Sequence, residues 1–184
     1  MNLEKDLNLA IDIAYQAGNF LSTNSKTLNK TIFFENKDIK LEADVKAEEL
    51  IKSLILKESN FPILAEESGS STSELGETFW VVDPLDGTAN FAKGIPICCV
   101  SIALINQDQP VLGAIYDFMH DEMYYGSKIQ SALLNGSKIQ VSDIKEKNAA
   151  TLVTGLPAQT DFSEQAIRKM ITDFQSWKKV RMIG

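Results

Sequence analysis

The chain has 184 residues, enough for one domain with its own core, and its 44% hydrophobic and 23% charged residues are ordinary for a soluble globular protein. A net charge of −7 disfavours nonspecific binding to nucleic acid or to an anionic membrane, but leaves room for a local anion pocket. No apolar run reaches membrane-spanning length, and Met1-Asn2-Leu3-Glu4-Lys5-Asp6 lacks the basic-then-apolar layout of a signal peptide, so a cytoplasmic protein with no nucleic-acid or membrane partner is expected.

Residues 3–24 carry Leu3, Leu7, Ala10, Ile11, Ala14, Ala17, Gly18 and Leu21 at helical spacing. Gly18 and the alanines would let another element approach closely. Residues 25–40 are polar, with short strands expected at 31–34 and 39–41 and a turn at Asn36-Lys37-Asp38. A second helix follows, with Ala47, Leu50, Ile51, Leu54 and Ile55 as its apolar stripe and Asp44 as its expected N-cap. Phe61-Pro62-Ile63-Leu64-Ala65 reads as a short strand ending at Glu66-Glu67-Ser68-Gly69. Residues 70–76 form a polar loop.

Phe79-Trp80-Val81-Val82 is the next strand, apolar throughout as in a strand covered on both faces. It is expected to stop at Asp83-Pro84, because Pro84 has no N–H to give a ladder. Asp83 and Asp86 then flank Pro84-Leu85. Two carboxylates this close repel each other unless a cation lies between them, and oxygen donors suit hard cations such as magnesium. Gly87-Thr88 would open a short helix whose first N–H groups could meet an anion, with Gly87 allowing close approach. The same residues also read as a solvated Asp-Pro-x-Asp-Gly turn. Glu66 ends its strand as Asp83 ends the other, so adjacent strands would bring the two together.

Beyond this motif, three runs at 97–105, 110–118 and 123–126, joined by short polar connections, predict an antiparallel meander. Cys98 and Cys99 lie in the first run and point to opposite faces, which reads as buried free thiols. His120, the single histidine, falls in a turn. Asn135-Gly136 signals a tight turn, Thr151 to Gly155 a short strand, 162–177 a helix capped by Ser163, and Lys178-Lys179-Val180-Arg181 the start of a further strand. Spacing alone supports α/β or α+β without choosing.

Trp80-Val81-Val82-Asp83-Pro84-Leu85-Asp86-Gly87-Thr88-Ala89-Asn90-Phe91 resembles, at every fixed position, the signature of the inositol monophosphatase family of magnesium-dependent, lithium-sensitive phosphatases. Ala65-Glu66-Glu67-Ser68, Asp44-Val45-Lys46-Ala47-Glu48 and the 131–142 segment are similar to further family patterns, the last departing where Gln130-Ser131 replaces a Gly-rich turn. The resemblance implies a layered α-β-α-β-α sandwich, commonly a homodimer, in the α/β (α+β) class shared with fructose-1,6-bisphosphatase. It implies Mg2+ held by Glu66, Asp83, the Leu85 carbonyl and Asp86. It makes Glu66, Thr88 and Asp44 the catalytic residues, with Thr88 paired with Glu66 to orient the attacking water and Asp44 helping to hold an outer metal. Asp86, Gly87 and Thr88 become the substrate-binding residues, and residues 25–40 a mobile loop near the site.

The resemblance also implies that residues 1–184 form the N-terminal metal- and phosphate-binding part of such a domain. Arg181-Met182-Ile183-Gly184 is similar to the start of the family's next segment, and the later W-D-x-A-A-G segment is absent. The implied reaction is hydrolysis of a small phosphate monoester, inositol 1-phosphate first. The Ala-Asn-Phe after Gly87-Thr88 is closer to inositol phosphatases than to the Lys-Glu-Phe of bisphosphate nucleotidases. Fructose 1,6-bisphosphate, 3′-phosphoadenylates and histidinol phosphate are the other substrates, and a non-catalytic metal-binding protein is the reading of another class.

Overall fold

The computed structural model describes residues 1–35, 38–156 and 160–183. The elements in order are α1 (Leu3–Leu28), β1 (Thr31–Glu35), β2 (Asp38–Leu41), α2 (Glu42–Glu58), β3 (Ile63–Ala65), β4 (Gly69–Ser70), β5 (Thr78–Asp86), α3 (Thr88–Lys93), β6 (Cys99–Asn106), β7 (Gln109–Asp117), β8 (Glu122–Ser127), β9 (Gln130–Leu134), β10 (Ser137–Lys138), β11 (Thr151–Thr154), α4 (Glu164–Phe174) and β12 (Lys179–Met182), with one 3-10 turn at Lys147–Ala149. They divide into two compact units, one of Met1–Glu35 with Ile39–Ile139 and one chiefly of Gln140–Gly184.

The first unit is built on an eight-stranded sheet of order β10-β9-β8-β7-β6-β5-β3-β4. Strands β5 to β9 pair antiparallel with their chain neighbours, the meander that the short polar connections predict. β3 is the exception in direction. It runs parallel to β5, with Ile63 opposite Trp80 and Ala65 opposite Val82. Helices α1 and α2 pack on each other and on the sheet. Along β6 the residues Val100, Ile102 and Leu104 are buried while Ser101 and Ala103 between them are only partly covered, the period-two pattern of a strand with one face against helices. That side holds the core, where Trp80 is completely buried and donates its indole N–H to Ser59 Oγ at 3.0 Å. On the other face Ser101, Gly113, Ile115 and Tyr124 border a shallow groove of about 310 Å³.

α1 is longer than its pattern predicts, reaching Leu28, and Ile13 takes a buried place on its stripe while Ile11 is only partly covered. Asn2 caps it by accepting from the Lys5 N–H at 3.1 Å. The close approach expected at Gly18 is real. A Cβ there would lie 2.5 Å from Tyr116 Cδ1 and 2.9 Å from Phe118 Cβ.

Two expectations need correcting. β5 does not stop at Asp83. It continues to Asp86 through a bulge, where Pro84 and Leu85 together oppose the one residue Val100 between the Asp83–Ser101 and Asp86–Cys99 pairs. Pro84 is tolerated because it sits in that bulge, and both bulge residues turn into the core. β6 starts at Cys99 rather than Ile97, which is exposed. Asn36 and Lys37 of the turn expected between β1 and β2 lie outside the described residues.

In the second unit β11 and β12 form a parallel pair, Thr151 opposite Lys179, connected through α4. Ser163 caps α4 as expected, its hydroxyl accepting from the Ala166 N–H at 3.3 Å.

Candidate active site

Four pieces of backbone in the first unit carry the candidate residues singled out in the sequence. Glu66 follows β3. Asp83 and Asp86 sit on either side of the β5 bulge. Thr88 begins α3, and Asp44 lies in the first turn of α2. The parallel register brings Glu66 beside Asp83: Ala65 pairs with Val82, and the Glu66 N–H donates to the Val82 carbonyl at 3.0 Å. The two carboxyl groups come within hydrogen-bonding reach of each other, which favours a proton on Glu66 over one on Asp83. The Asp83 Oδ1 also accepts from the Leu85 N–H at 3.1 Å, so the side chain folds over its own bulge.

Charge has accumulated here without balance. The Glu66 carboxyl is pushed up to about 7, first by desolvation at the strand end, then by the bond to Asp83 and the charges of Asp83, Glu67 and Asp86. Asp83 is also raised, again mainly by desolvation, against the lowering effect of its bond to Glu66. Cys99 Sγ lies 3.9 Å from Asp86 Oδ2, and burial with the Asp86 and Asp83 charges pushes its thiol to about 12. Both cysteines are free as expected, although Cys99 is only half-buried.

Asp44 differs from its expected place. It is the third residue of α2, not the residue before it, and its Oδ2 accepts from the Leu41 N–H at 2.6 Å. This is the side-chain-to-backbone half of a capping box; Leu41 itself has no acceptor to complete it. The other oxygen, Oδ1, accepts from the Thr88 hydroxyl at 2.8 Å. Thr88 is therefore paired with Asp44 and not with Glu66. Its hydroxyl also lies 3.1 Å from the Leu85 carbonyl oxygen. Asp44 is 1% exposed, and burial pushes its carboxyl to about 6 against the lowering effect of those hydrogen bonds.

Gly87 has φ +89°, and a Cβ there would lie 2.6 Å from the Ile97 carbonyl oxygen. Glycine is thus required twice, by the left-handed backbone and by the adjacent chain that fills the space where a side chain would go. His120 sits in the β7–β8 turn with Nδ1 2.8 Å from Asp117 Oδ2.

Two residues near the site carry more than sequence reasoning assigned to them. Glu48, one turn beyond Asp44 on α2, is buried and accepts from the N–H groups of Glu67 and Ser68. Lys40 pairs with Glu67. The signal for Glu48 was present: polar residues at 44 and 48 fall on the same stripe as Ala47, Ile51 and Ile55.

Among the described residues no three His, Cys, Asp or Glu side chains close on one point as a finished metal cage. The donors still suit magnesium, which is commonly held by one or two carboxylates, with waters and phosphate oxygens completing its shell. Glu66 and Asp83 supply such a pair, all oxygen, in a place where a cation would relieve the repulsion that raises both carboxyls.

Fold and strand-end acids together define a layered α/β protein of the inositol monophosphatase and fructose-1,6-bisphosphatase type. The sequence profile of the inositol monophosphatase family matches residues 2–184, and the chain belongs to that family. It is 37% identical over 164 residues to a fructose-1,6-bisphosphatase/inositol-1-monophosphatase of Aquifex aeolicus, covering 86% of this chain and 61% of that protein. An extragenic suppressor protein suhB from Bartonella henselae superposes with a TM-score of 0.87 at 29% identity, covering 98% of this chain and 70% of that one. An inositol monophosphatase from Anabaena gives 0.83 at 30% identity, covering 100% and 68%. The chain thus spans about two-thirds of the length of these relatives.

Proposed function

We propose that residues 1–184 are the metal- and phosphate-binding part of a magnesium-dependent phosphomonoesterase acting on inositol 1-phosphate. The observation that carries this reading is the meeting of Glu66, just past β3, with Asp83 in the parallel strand β5, with Asp86, Gly87 and Thr88 following from the end of β5 to the start of α3. Glu66, Asp83, Asp86 and the Leu85 carbonyl would hold Mg2+, which when bound supplies charge for the phosphate oxygens and acidifies a water.

The chain's own groups divide the remaining work. Glu66, besides holding the cation, would position the attacking water beside it. Thr88 is the orienting hydroxyl. Its hydroxyl donates to Asp44, which leaves the oxygen available to accept from that water. Asp44 acts through Thr88, since both its own oxygens are occupied. The Gly87 and Thr88 N–H groups would donate to the phosphate, and Asp86 would serve both cation and substrate binding. Inhibition by lithium and assembly as a homodimer belong to the same reading.

A second substrate, fructose 1,6-bisphosphate, is favoured by the name of the Aquifex relative. The test is phosphate release from inositol 1-phosphate, fructose 1,6-bisphosphate, 3′-phosphoadenylate and histidinol phosphate, with and without Mg2+. Asp83→Asn serves as the control and should abolish release. Release without Mg2+, or near-normal activity in Asp83→Asn, overturns the proposal. No release from a folded sample leaves the non-catalytic reading, and a chain extended past Gly184 then separates a partial site from a lost one.

A further inference from the structure

We propose that Glu48 is a positioning residue that sets the metal affinity of the site by holding the turn that carries Glu66. The inference rests on the reading of Glu66 as a metal-holding carboxylate. Glu48 is 4% exposed and lies on the inner face of α2. Its Oε2 accepts from the Glu67 N–H at 2.9 Å and the Ser68 N–H at 3.3 Å, the two residues that follow Glu66. Its other oxygen, Oε1, lies 3.6 Å from Lys52 Nζ, and Lys52 in turn donates to Ser68 Oγ at 2.8 Å. The turn is thus gripped through its backbone by one buried side chain and through Ser68 by that side chain's ion partner.

Geometry gives this grip a purpose. Glu66 is exposed at the rim, and its own backbone is fixed on one side by the bond to Val82. On the other side the chain leaves β3 into a turn, with β4 only two residues long. Without Glu48 the N–H groups of Glu67 and Ser68 would lose their acceptor, and the turn would rearrange to satisfy them. Glu66 would then be displaced from Asp83. Asp44, one helical turn earlier on α2, accepts from the Thr88 side-chain hydroxyl. The two acids at i and i+4 make α2 the single rigid element to which both the Glu66 turn and the Thr88 loop are tied. Outer-shell groups of this type commonly change metal affinity by about 10- to 100-fold when lost.

The test separates reach from charge. Mg2+ binding is measured by titration calorimetry on the wild-type chain and on Glu48→Asp, Glu48→Gln and Glu66→Gln. Glu48→Asp keeps the charge but withdraws the carboxylate by about one carbon–carbon bond, ~1.5 Å. Glu48→Gln keeps the reach and one oxygen acceptor but removes the charge. The expected result is about tenfold weaker binding in Glu48→Asp and binding within about threefold of wild type in Glu48→Gln. The reverse pattern, equal weakening in both, or wild-type affinity in both overturns the proposal. Glu66→Gln reads the underlying assignment on its own: wild-type Mg2+ affinity there refutes the metal role of Glu66, whatever the Glu48 variants do.

Discussion

Replacing Thr88 by Val tests the Asp44–Thr88 pair with almost no change of shape. The hydroxyl lost is a donor to a carboxylate that is 1% exposed, at 2.8 Å. A hydrogen bond to an ionised group contributes about 1.5–3 kcal/mol, and one between neutral groups about 0.5–1.5 kcal/mol. Which range applies depends on pH. An unfolded Asp titrates near ~3.9, whereas Asp44 in the folded chain titrates near about 6. Between these values the native state holds a proton that the unfolded state has released, so stability falls as pH rises through this window and stays lower above it. Removing the Thr88 donor raises the folded value further and deepens the fall. The variant should therefore lose about 1.5–3 kcal/mol at pH 8 but only about 0.5–1.5 kcal/mol at pH 5. Urea unfolding of both proteins without metal at the two pH values measures this, and other titrating groups cancel in the comparison. A loss that is equal at pH 5 and pH 8, or below about 0.5 kcal/mol at pH 8, refutes the assignment of Thr88 as donor to an ionisable buried Asp44.

Three further outcomes are expected. Gly18→Ala should destabilise the fold by about 1–2 kcal/mol in thermal or urea unfolding: helix propensity favours Ala by up to ~1 kcal/mol, but a Cβ 2.5 Å from a ring that is buried and anchored to Asp121 overpacks the contact. Gly87→Ala should cost about 2 kcal/mol or more, because φ +89° and the Ile97 carbonyl both oppose a side chain, and should lower phosphate release with it. Magnesium affinity should rise about tenfold from pH 6 to pH 8, because the Glu66 proton, bound near pH 7, must leave before a cation can take its place; a flat calorimetric profile contradicts this.

The elements of the first unit were legible where one physical signal dominated. The α1 stripe, the meander and the Asn135-Gly136 turn each follow from local periodicity or turn chemistry, and the last has positive φ at both residues. The β5 bulge was not legible, because Pro84 reads as a stop unless the partner strand is known to skip a residue. The partner of Thr88 was hidden for a related reason. Residues 44 and 88 are far apart in the chain, and nothing local distinguishes an Asp that faces solvent from one buried against a distant hydroxyl. The sequence pattern presents Gly87 as making room for a ligand, whereas the space beside its Cα is taken by the Ile97 carbonyl.

The acids around the β5 bulge supply the physical argument for the proposed cation site. Carboxylates free to spread apart in water would interact little. Here the parallel register presses Glu66 against Asp83, the Asp83 side chain is folded back onto the Leu85 N–H, and both carboxyls are held above their ordinary values. Near neutral pH without a cation, the pair must either keep a proton or repel, and each state makes the folded chain less stable than a neutral strand end would. Nothing in the core packing asks for this arrangement, since Trp80, Val82 and Leu85 already anchor the strand. Local destabilisation that the surrounding structure holds in place is what a binding site for positive charge requires. Added Mg2+ should therefore raise the melting temperature of the wild-type chain and leave that of Asp83→Asn unchanged.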